Sequence, residues 1–150
     1  MQVLKQEIYN HCLRLINQKI EELNSALVNA TEAANNETKS TAGDKHETAR
    51  AMMQLEQEKL GHQLKELLAQ KSEFEKIDIS KPSLQIAKGT LIQSDKGFLF
   101  LSIGLGKIVV KGKTIFAISA QSPLGIKLMA KKENDVVEMN GARYTIQKLF

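Results

Sequence analysis

Apolar residues recur at alternating intervals of three and four along the first third of the chain. The repeat consists of Leu13, Ile16, Ile20, Leu23, Leu27, Ala30 and Ala34. This spacing brings the residues onto one stripe of an α-helix and is typical of a coiled-coil seam. A second, less regular stripe has polar Gln57 and Lys71 at two of its positions. Its apolar members are Met53, Leu60, Leu64, Leu67 and Phe74. The pattern predicts two long amphipathic helices.

A polar segment separates the two stripes. Residues 34–43 include no large apolar side chain and end in Gly43, a residue type that commonly ends or reverses a helix. Helices of roughly thirty residues are about 45 Å long, which is more than a compact domain of this size needs. We therefore expect the chain to fold back into an antiparallel hairpin. Its bend would then carry two carboxylates, Asp44 and Glu47.

The hydrophobic period changes after residue 78. Pro82 cannot continue a helix, and beyond it short apolar runs alternate with turn sequences. The predicted strands cover residues 91–92, 98–101, 108–110, 114–118, 136–139 and 144–146. They are expected to form three hairpins around turns at residues 94–97, 111–113 and 140–141. Asn140-Gly141, between the last two strands, is a strong signal for a two-residue β-hairpin turn.

One short helix interrupts the predicted strands. Ser122 has the side chain of a helix N-cap, and Pro123 suits the first helical position. The apolar face of this helix is expected to comprise Leu124, Ile126, Leu128 and Met129. The predicted fold class is therefore α+β. An N-terminal antiparallel coiled-coil hairpin covers residues 1–78, a linker covers residues 79–83, and a small antiparallel β-domain with one helix covers residues 84–150.

Composition and charge support this division. The chain has 150 residues, of which 42% are hydrophobic, enough for a coiled coil and one small domain. Residues 1–80 carry 10 Lys and Arg against 13 Asp and Glu, a net charge of −3, whereas residues 81–150 carry 11 against 4, a net charge of +7. The N-terminal residues lack a continuous apolar run, so we expect no signal peptide, no membrane span and a cytoplasmic location. The single cysteine, Cys12, excludes an internal disulfide.

The basic charge of the second half has two interpretations. It can be a solvated lysine-rich surface, or it can contact an acidic partner, either nucleic acid or an acidic protein surface. The half contains a single arginine, Arg143, and its aromatic residues are expected in the core. These features argue against direct nucleic-acid readout through stacked aromatic side chains.

The acidic motif also has two interpretations. Asp44 and Glu47 have the spacing of a capping box, in which the first residue caps a helix and the second reaches back to its backbone N–H. Spacing alone favours this structural role. The same two carboxylates could help to hold Mg²⁺, although two side chains on a solvated bend cannot supply octahedral ligation by themselves. We therefore predict no cofactor and negligible metal affinity in the isolated chain.

The order of these features resembles the bacterial GreA/GreB transcript-cleavage factors. The resemblance rests on the hairpin, the Gly-Asp-x-x-Glu-x-Ala motif that contains Gly43 and Ala49, the linker, and a β-domain with a Ser-Pro-Leu-Gly helix start before Val-Val-Glu. It covers nearly the whole chain. It implies that the C-terminal domain has an FK506-binding-protein-like fold and docks at the rim of the RNA polymerase secondary channel.

The resemblance also implies roles for individual residues. Asp44 and Glu47 would enter the channel on the hairpin and help to hold a Mg²⁺ ion shared with the polymerase, which would promote cleavage of backtracked RNA. The chain would have no catalytic activity alone and would meet RNA and DNA only through the elongation complex. The implied polymerase-contacting residues are Ser122, Pro123, Leu124 and Gly125.

Other functions remain open at this stage. The family's motif continues with Asn after the Glu and with an aromatic residue three positions further on, where this chain has Thr48 and Ala51. A regulator that occupies the channel without promoting cleavage is therefore one alternative. A prolyl isomerase or chaperone is an alternative of a different class, but it needs an aromatic-lined pocket, and this chain has few aromatic residues from which to build one. A homodimer through the heptads is a third alternative, whereas a hairpin predicts a monomer.

Overall fold

The computed structural model describes the backbone of residues 1–37 and 43–150 and the side chains of residues 1–36 and 47–150. Its elements in chain order are α1 (Gln2–Glu37), α2 (Gly43–Glu75), β1 (Leu91–Ser94), β2 (Gly97–Ser102), β3 (Gly106–Val110), β4 (Lys113–Ser119), α3 (Pro123–Leu128), β5 (Val136–Met139) and β6 (Ala142–Leu149). The chain is thus an α+β protein with two long N-terminal helices and a six-stranded sheet.

The chain divides into two compact units. The helical unit comprises residues 15–72, and the sheet unit comprises residues 1–14 together with residues 73–150. The predicted domains, residues 1–78 and 84–150, were divided where the hydrophobic period changes. The two compact units are instead defined by which residues pack together. The first turns of α1 and the last residues of α2 belong to the same compact unit as the strands.

Within the helical unit, α1 and α2 run antiparallel. Gln57 Nε2 donates a hydrogen bond to Thr31 Oγ1 at 3.2 Å. Lys19 and Leu23 of α1 line a groove together with α2 residues close to Leu67. Residues later in α1 therefore contact residues earlier in α2, as expected for two antiparallel helices.

The predicted seam matches the burial of the helical unit. Its apolar positions on α1 from Ile16 to Ala34 are buried or half-buried, and so are those on α2 from Met53 to Leu67. Polar Gln57 and Lys71 are also half-buried. Gln57 is accommodated at the seam because Thr31 accepts its side-chain hydrogen bond.

The segment that was expected to reverse the chain lies between the described parts of the two helices. α1 ends at Glu37, and Gly43 is the first residue of α2. Asp44 and Glu47 therefore fall within the first two turns of α2. Acidic residues are favourable there because the N-terminus of a helix carries a partial positive charge.

The sheet has the strand order β3-β4-β2-β1-β6-β5. The three predicted hairpins, β1–β2, β3–β4 and β5–β6, are antiparallel. The sheet as a whole is mixed, because β2 and β4 pair in parallel, with Phe98 opposite Ile115 and Ser102 opposite Ser119. The prediction of an antiparallel β-domain was therefore wrong at this pairing. Hairpin turns are local signals, whereas the pairing of β2 with β4 joins strands that are not consecutive.

Both faces of the sheet contribute buried side chains. On one face, Ile92, Leu99, Leu101 and Ile146 form a cluster with Leu128 of α3. The residues at the alternating strand positions point to the other face, and Leu91, Phe100 and Ile115 among them are also fully buried. Because successive strand residues point to opposite faces, the sheet has an apolar layer on each side.

The start of α1 holds the segment that was predicted to be a linker. Gln2 Nε2 donates to the backbone oxygen of Ile79 at 2.8 Å, and Lys5 Nζ donates to that of Lys81 at 3.4 Å. Lys5 is almost fully buried. Burial lowers the pKa of its ammonium group, and the nearby Asp78 carboxylate opposes this effect. The segment is therefore tied to the sheet unit by specific hydrogen bonds.

Candidate functional site

Glu47 is exposed to solvent in the second turn of α2. The side chain of its predicted partner, Asp44, lies outside the described residues. Asp44 is the second residue of α2, whose first described residue is Gly43. A capping box depends on a hydrogen bond made by the Asp44 side chain, so the capping interpretation stays a prediction.

The donor chemistry of this pair suits a hard cation. Carboxylate oxygens are the ligands that Mg²⁺ takes, and the remaining octahedral positions must come from other groups. Among the side chains that the structure describes, which exclude Asp44 and His46, no three His, Cys, Asp or Glu residues are grouped so that they could hold a metal ion. A metal site built on this motif therefore has to be completed by a partner or by water.

The Ser122–Gly125 motif begins α3 as predicted. Ser122 Oγ accepts a hydrogen bond from the Gly125 N–H at 3.0 Å and donates one to the Ser119 backbone oxygen at 2.6 Å. Pro123 occupies the first helical turn. The prediction of a serine N-cap followed by proline is confirmed.

The other two residues of this motif face the interior. Leu124 is half-buried against the apolar cluster, and Gly125 is buried. A Cβ atom at Gly125 would lie 2.0 Å from the backbone oxygen of Ser119, so no other residue fits without a shift of the chain. Pro123 alone among the four is exposed. Three members of the motif therefore have structural roles that do not depend on a partner.

One prediction for α3 was wrong. Ile126 was assigned to its apolar face, but the side chain is 63% exposed. Leu124 and Leu128 lie four positions apart on one side of the helix, and the residue midway between them points away from that side. The spacing itself was the signal that sequence reasoning missed.

Ile126 borders a groove beside α3. The groove has a volume of about 620 Å³ and is also lined by Met129, Lys131 and Val136. Lys127, another lining residue, donates a hydrogen bond from Nζ to the backbone oxygen of Glu138 at 2.8 Å. The groove thus combines apolar side chains with charges of both signs, because Glu138 lines it together with the two lysines, and this suits a partner surface that is partly apolar and partly charged.

The aromatic residues of the sheet unit do not all lie in the core, contrary to the prediction. Phe100 is fully buried, but Phe116 is 41% exposed. Phe98 is half-buried, with Lys113 Nζ 5.2 Å from its ring centroid. In β4 the buried residues are Ile115 and Ala117, so the alternation of the strand places Phe116 on the opposite face.

Cys12 is fully buried in α1, and burial raises the pKa of its thiol to about 12. Since the thiolate is the reactive form, this cysteine is inert as a nucleophile. Its role is to pack in the sheet unit.

No protein-family model, curated protein or solved structure matched the chain. Within the described residues, neither long helix has an apolar stretch sufficient to cross a membrane.

Proposed function

We propose that the chain is an accessory transcription factor of the GreA/GreB type, which binds RNA polymerase and promotes cleavage of backtracked RNA. The observation that carries this proposal is the position of the acidic motif. Two long antiparallel helices are connected through residues 38–42, and Asp44 and Glu47 follow directly at the start of α2. The coiled-coil packing of the helices and the FK506-binding-protein-like fold of the C-terminal domain are part of the proposal.

The lengths of the helices fit a function that requires reach. α1 has 36 residues and α2 has 33, which correspond to about 54 Å and about 50 Å. The helical unit buries little beyond its own seam, since most of its other side chains are exposed. In this proposal it enters the secondary channel and brings its bend to the polymerase active centre.

The acids act in a composite site. Asp44 and Glu47 would help to hold a second Mg²⁺ ion in the polymerase active centre, and the chemistry supplied by that ion would be activation of water and neutralisation of charge in phosphodiester hydrolysis. Asp44 and Glu47 supply oxygen ligands that help to retain this ion, and their negative charge strengthens that hold. The isolated chain has no catalytic activity in this proposal, because the other ligands and the RNA belong to the elongation complex.

Docking on the polymerase is assigned to the sheet unit. The start of α3 presents Pro123 and Ile126 to solvent, and the adjacent groove offers Val136 with two lysines, Lys127 and Lys131. We propose this surface, together with Ser122, Leu124 and Gly125, as the polymerase-binding region. Ser122 and Gly125 act there by fixing the helix start, while Pro123 and Ile126 make the contact.

The isomerase interpretation receives less support. Neither the groove beside α3 nor a second groove of about 870 Å³ lined by Pro82, Leu84 and Met129 has an aromatic lining residue. A prolyl isomerase needs such a lining to hold its substrate ring. Thr48 and Ala51, which stand where the family's motif has Asn and an aromatic residue, favour a regulator that does not promote cleavage. A cleavage assay distinguishes this function from that of a cleavage factor.

The test is a cleavage assay on a stalled, backtracked elongation complex. We expect the full chain to stimulate cleavage and the double variant Asp44→Asn, Glu47→Gln to lose most of that stimulation, because both charges are removed. The double variant should still compete with the unaltered chain for polymerase. A matched control, Glu56→Gln with Glu58→Gln, removes two exposed charges further along α2 and should cleave normally.

Two outcomes would contradict the proposal. If the Asp44 and Glu47 double variant stimulates cleavage as well as the unaltered chain, these acids do not serve the reaction. If the unaltered chain binds polymerase but never stimulates cleavage, the chain is a non-cleaving channel regulator.

A further inference from the structure

The two edges of the sheet differ in what covers them. β3 and β5 are the outermost strands of the order β3-β4-β2-β1-β6-β5. An edge strand has unpaired backbone N–H and C=O groups on its outer side, which can bond to a further strand. Each edge can accept a further strand only where these backbone groups have no hydrogen-bond partner already.

The geometry of the turn after β3 determines which residues of β3 direct their backbone N–H and C=O groups away from β4. Lys111 and Gly112 form a two-residue hairpin loop with φ angles of 50° and 74°, as in a type I′ turn. Val110 and Lys113, which flank the loop, are therefore a hydrogen-bonded pair, and pairs alternate along the ladder. It follows that Lys107 and Val109 direct their backbone N–H and C=O groups away from β4. Within residues 1–37 and 43–150, no backbone group of another segment bonds to these groups.

The β5 edge is different. The same argument from the Asn140-Gly141 loop makes Val136 and Glu138 the outward residues of β5. The outward backbone oxygen of Glu138 accepts a hydrogen bond from Lys127 Nζ at 2.8 Å. A lysine of α3 thus occupies the β5 edge, whereas the β3 edge is open.

Side chains at the open edge form an exposed apolar patch next to a lysine. Lys107 lies directly opposite Phe116 of β4, and Val109 is two residues along β3, so the three side chains share one face. Val109 is 56% exposed and Phe116 is 41% exposed. A strand added beside β3 would therefore find the exposed apolar side chain of Val109 next to it, with Phe116 one strand further in on the same face.

The surrounding charge selects the chemistry of the partner. From Lys96 to Lys132 the chain has seven lysines and no Asp or Glu. Three of these lysines, Lys107, Lys111 and Lys113, lie in or beside the β3–β4 hairpin and are exposed. Glu7 of α1 lies beside this hairpin, with its Oε1 3.9 Å from Lys111 Nζ. An acidic segment is complementary to this surface, whereas a second copy of the same strand would bring like charges together.

We propose that the open edge of β3 binds an extended acidic segment of a partner protein, which adds to the sheet as a further strand. Backbone groups of Lys107 and Val109 bond to the segment, Val109 contacts its apolar residues, and the hairpin lysines pair with its carboxylates. This mode of recognition uses backbone bonds for affinity and alternate side chains for specificity. The site lies on a different edge from the groove beside α3, and the inference does not rest on the proposed function.

A peptide of alternating Glu and Val, blocked at both ends and labelled with fluorescein, serves as the probe. Fluorescence anisotropy with the full chain should show binding that weakens as salt is added. The same peptide with Lys in place of Glu should bind at least tenfold more weakly. On binding of the acidic peptide, the backbone amides of Lys107 and Val109 should gain protection from hydrogen exchange, because they become donors to the added strand.

A backbone variant and a charge variant test the β3 edge. Val109→Pro removes an outward N–H and leaves the ladder to β4 intact, because proline is tolerated at an edge position that does not donate to the sheet. We expect it to weaken peptide binding at least tenfold. As a matched control for charge, Lys148→Glu changes an exposed lysine of β6, away from both edges, and should bind as well as the unaltered chain. Lys107→Glu, which does not alter the backbone, should also weaken binding at least fivefold and serves if Val109→Pro does not fold.

Several results would overturn the inference. One is peptide binding that Val109→Pro and Lys107→Glu both leave unchanged. Another is amide protection that appears on β5 or α3 rather than at Lys107 and Val109. A third is tight binding of a fluorescein-labelled oligouridylate of equal charge with no binding of the peptide, which would make the surface a nucleic-acid site. A fourth is a dimer of the full chain that Lys107→Glu strengthens, which would make β3 a self-association edge.

Discussion

The helical unit and the sheet unit are stabilised in different ways. In the helical unit, a single seam of buried or half-buried apolar residues is interrupted by Gln57 and Lys71, and most other side chains are exposed. In the sheet unit, fully buried side chains lie on both faces of six strands, and Phe100 and Ile146 have no exposed surface. Apolar burial is the main stabilising contribution to folding, so the sheet unit is expected to hold most of the chain's stability.

The comparison also separates the functions. The exposed helical unit carries the acidic motif, whose proposed role depends on reaching a partner's active centre. The densely packed sheet unit carries two surfaces, the groove beside α3 and the open edge of β3, that require a rigid support. A site on a rigid sheet has a fixed backbone geometry, whereas a long pair of helices provides reach.

The largest expected effect comes from removing a large side chain in each unit. Phe100→Ala should destabilise the chain by about 3–5 kcal/mol, because it leaves a cavity in a fully buried site. Leu67→Ala, at the half-buried seam of the helical unit, should cost less than about 2 kcal/mol, since part of its surface is already in water. Urea unfolding followed by circular dichroism measures both. Equal losses would show that the two units are packed alike.

Alanine in place of glycine should have opposite effects in the two units. Gly125→Ala places a Cβ atom against the Ser119 backbone oxygen, and the required shift should cost about 1–3 kcal/mol. Gly61→Ala, in α2, introduces a Cβ atom with no atom within 4 Å and should stabilise the helix by about 0.5–1 kcal/mol. Thermal unfolding of the two variants tests this pair. A stabilising effect of Gly125→Ala would mean that the start of α3 is not closely packed.

A smaller effect should appear at high pH. Burial raises the pKa of the Cys12 thiol from 9.0 to about 12, so the unfolded chain ionises at a lower pH than the folded chain. The associated stability is present below about pH 9 and is lost as the pH rises toward 12. Between pH 8 and pH 10 the unaltered chain should therefore lose about 1.4 kcal/mol more than Cys12→Ala. Urea unfolding at the two pH values measures this difference, and parallel losses would show that Cys12 is accessible to water.

Much of the fold followed from local pattern. The heptad spacing predicted both long helices, and the three hairpins were predicted from turn residues such as Asn140-Gly141. Ser122 and Pro123 predicted the start of α3, because a serine oxygen and a proline ring satisfy the first turn of a helix directly. These features depend on residues close together in the chain, which is why periodicity and turn chemistry were sufficient.

Other features depended on tertiary structure. The parallel pairing of β2 with β4 joins strands that no turn sequence connects, and the exposure of Phe116 depends on which face of β4 the rest of the fold covers. The open edge of β3 likewise exists only because β4 and β2 lie on its other side, while Lys127 covers the outward oxygen of Glu138 at the opposite edge. The sequence alone determined the helices, the hairpin turns and the acidic motif through local hydrogen bonding and hydrophobic period. Strand order and the exposed surfaces were decided by long-range packing, because burial depends on neighbours that lie far apart along the chain.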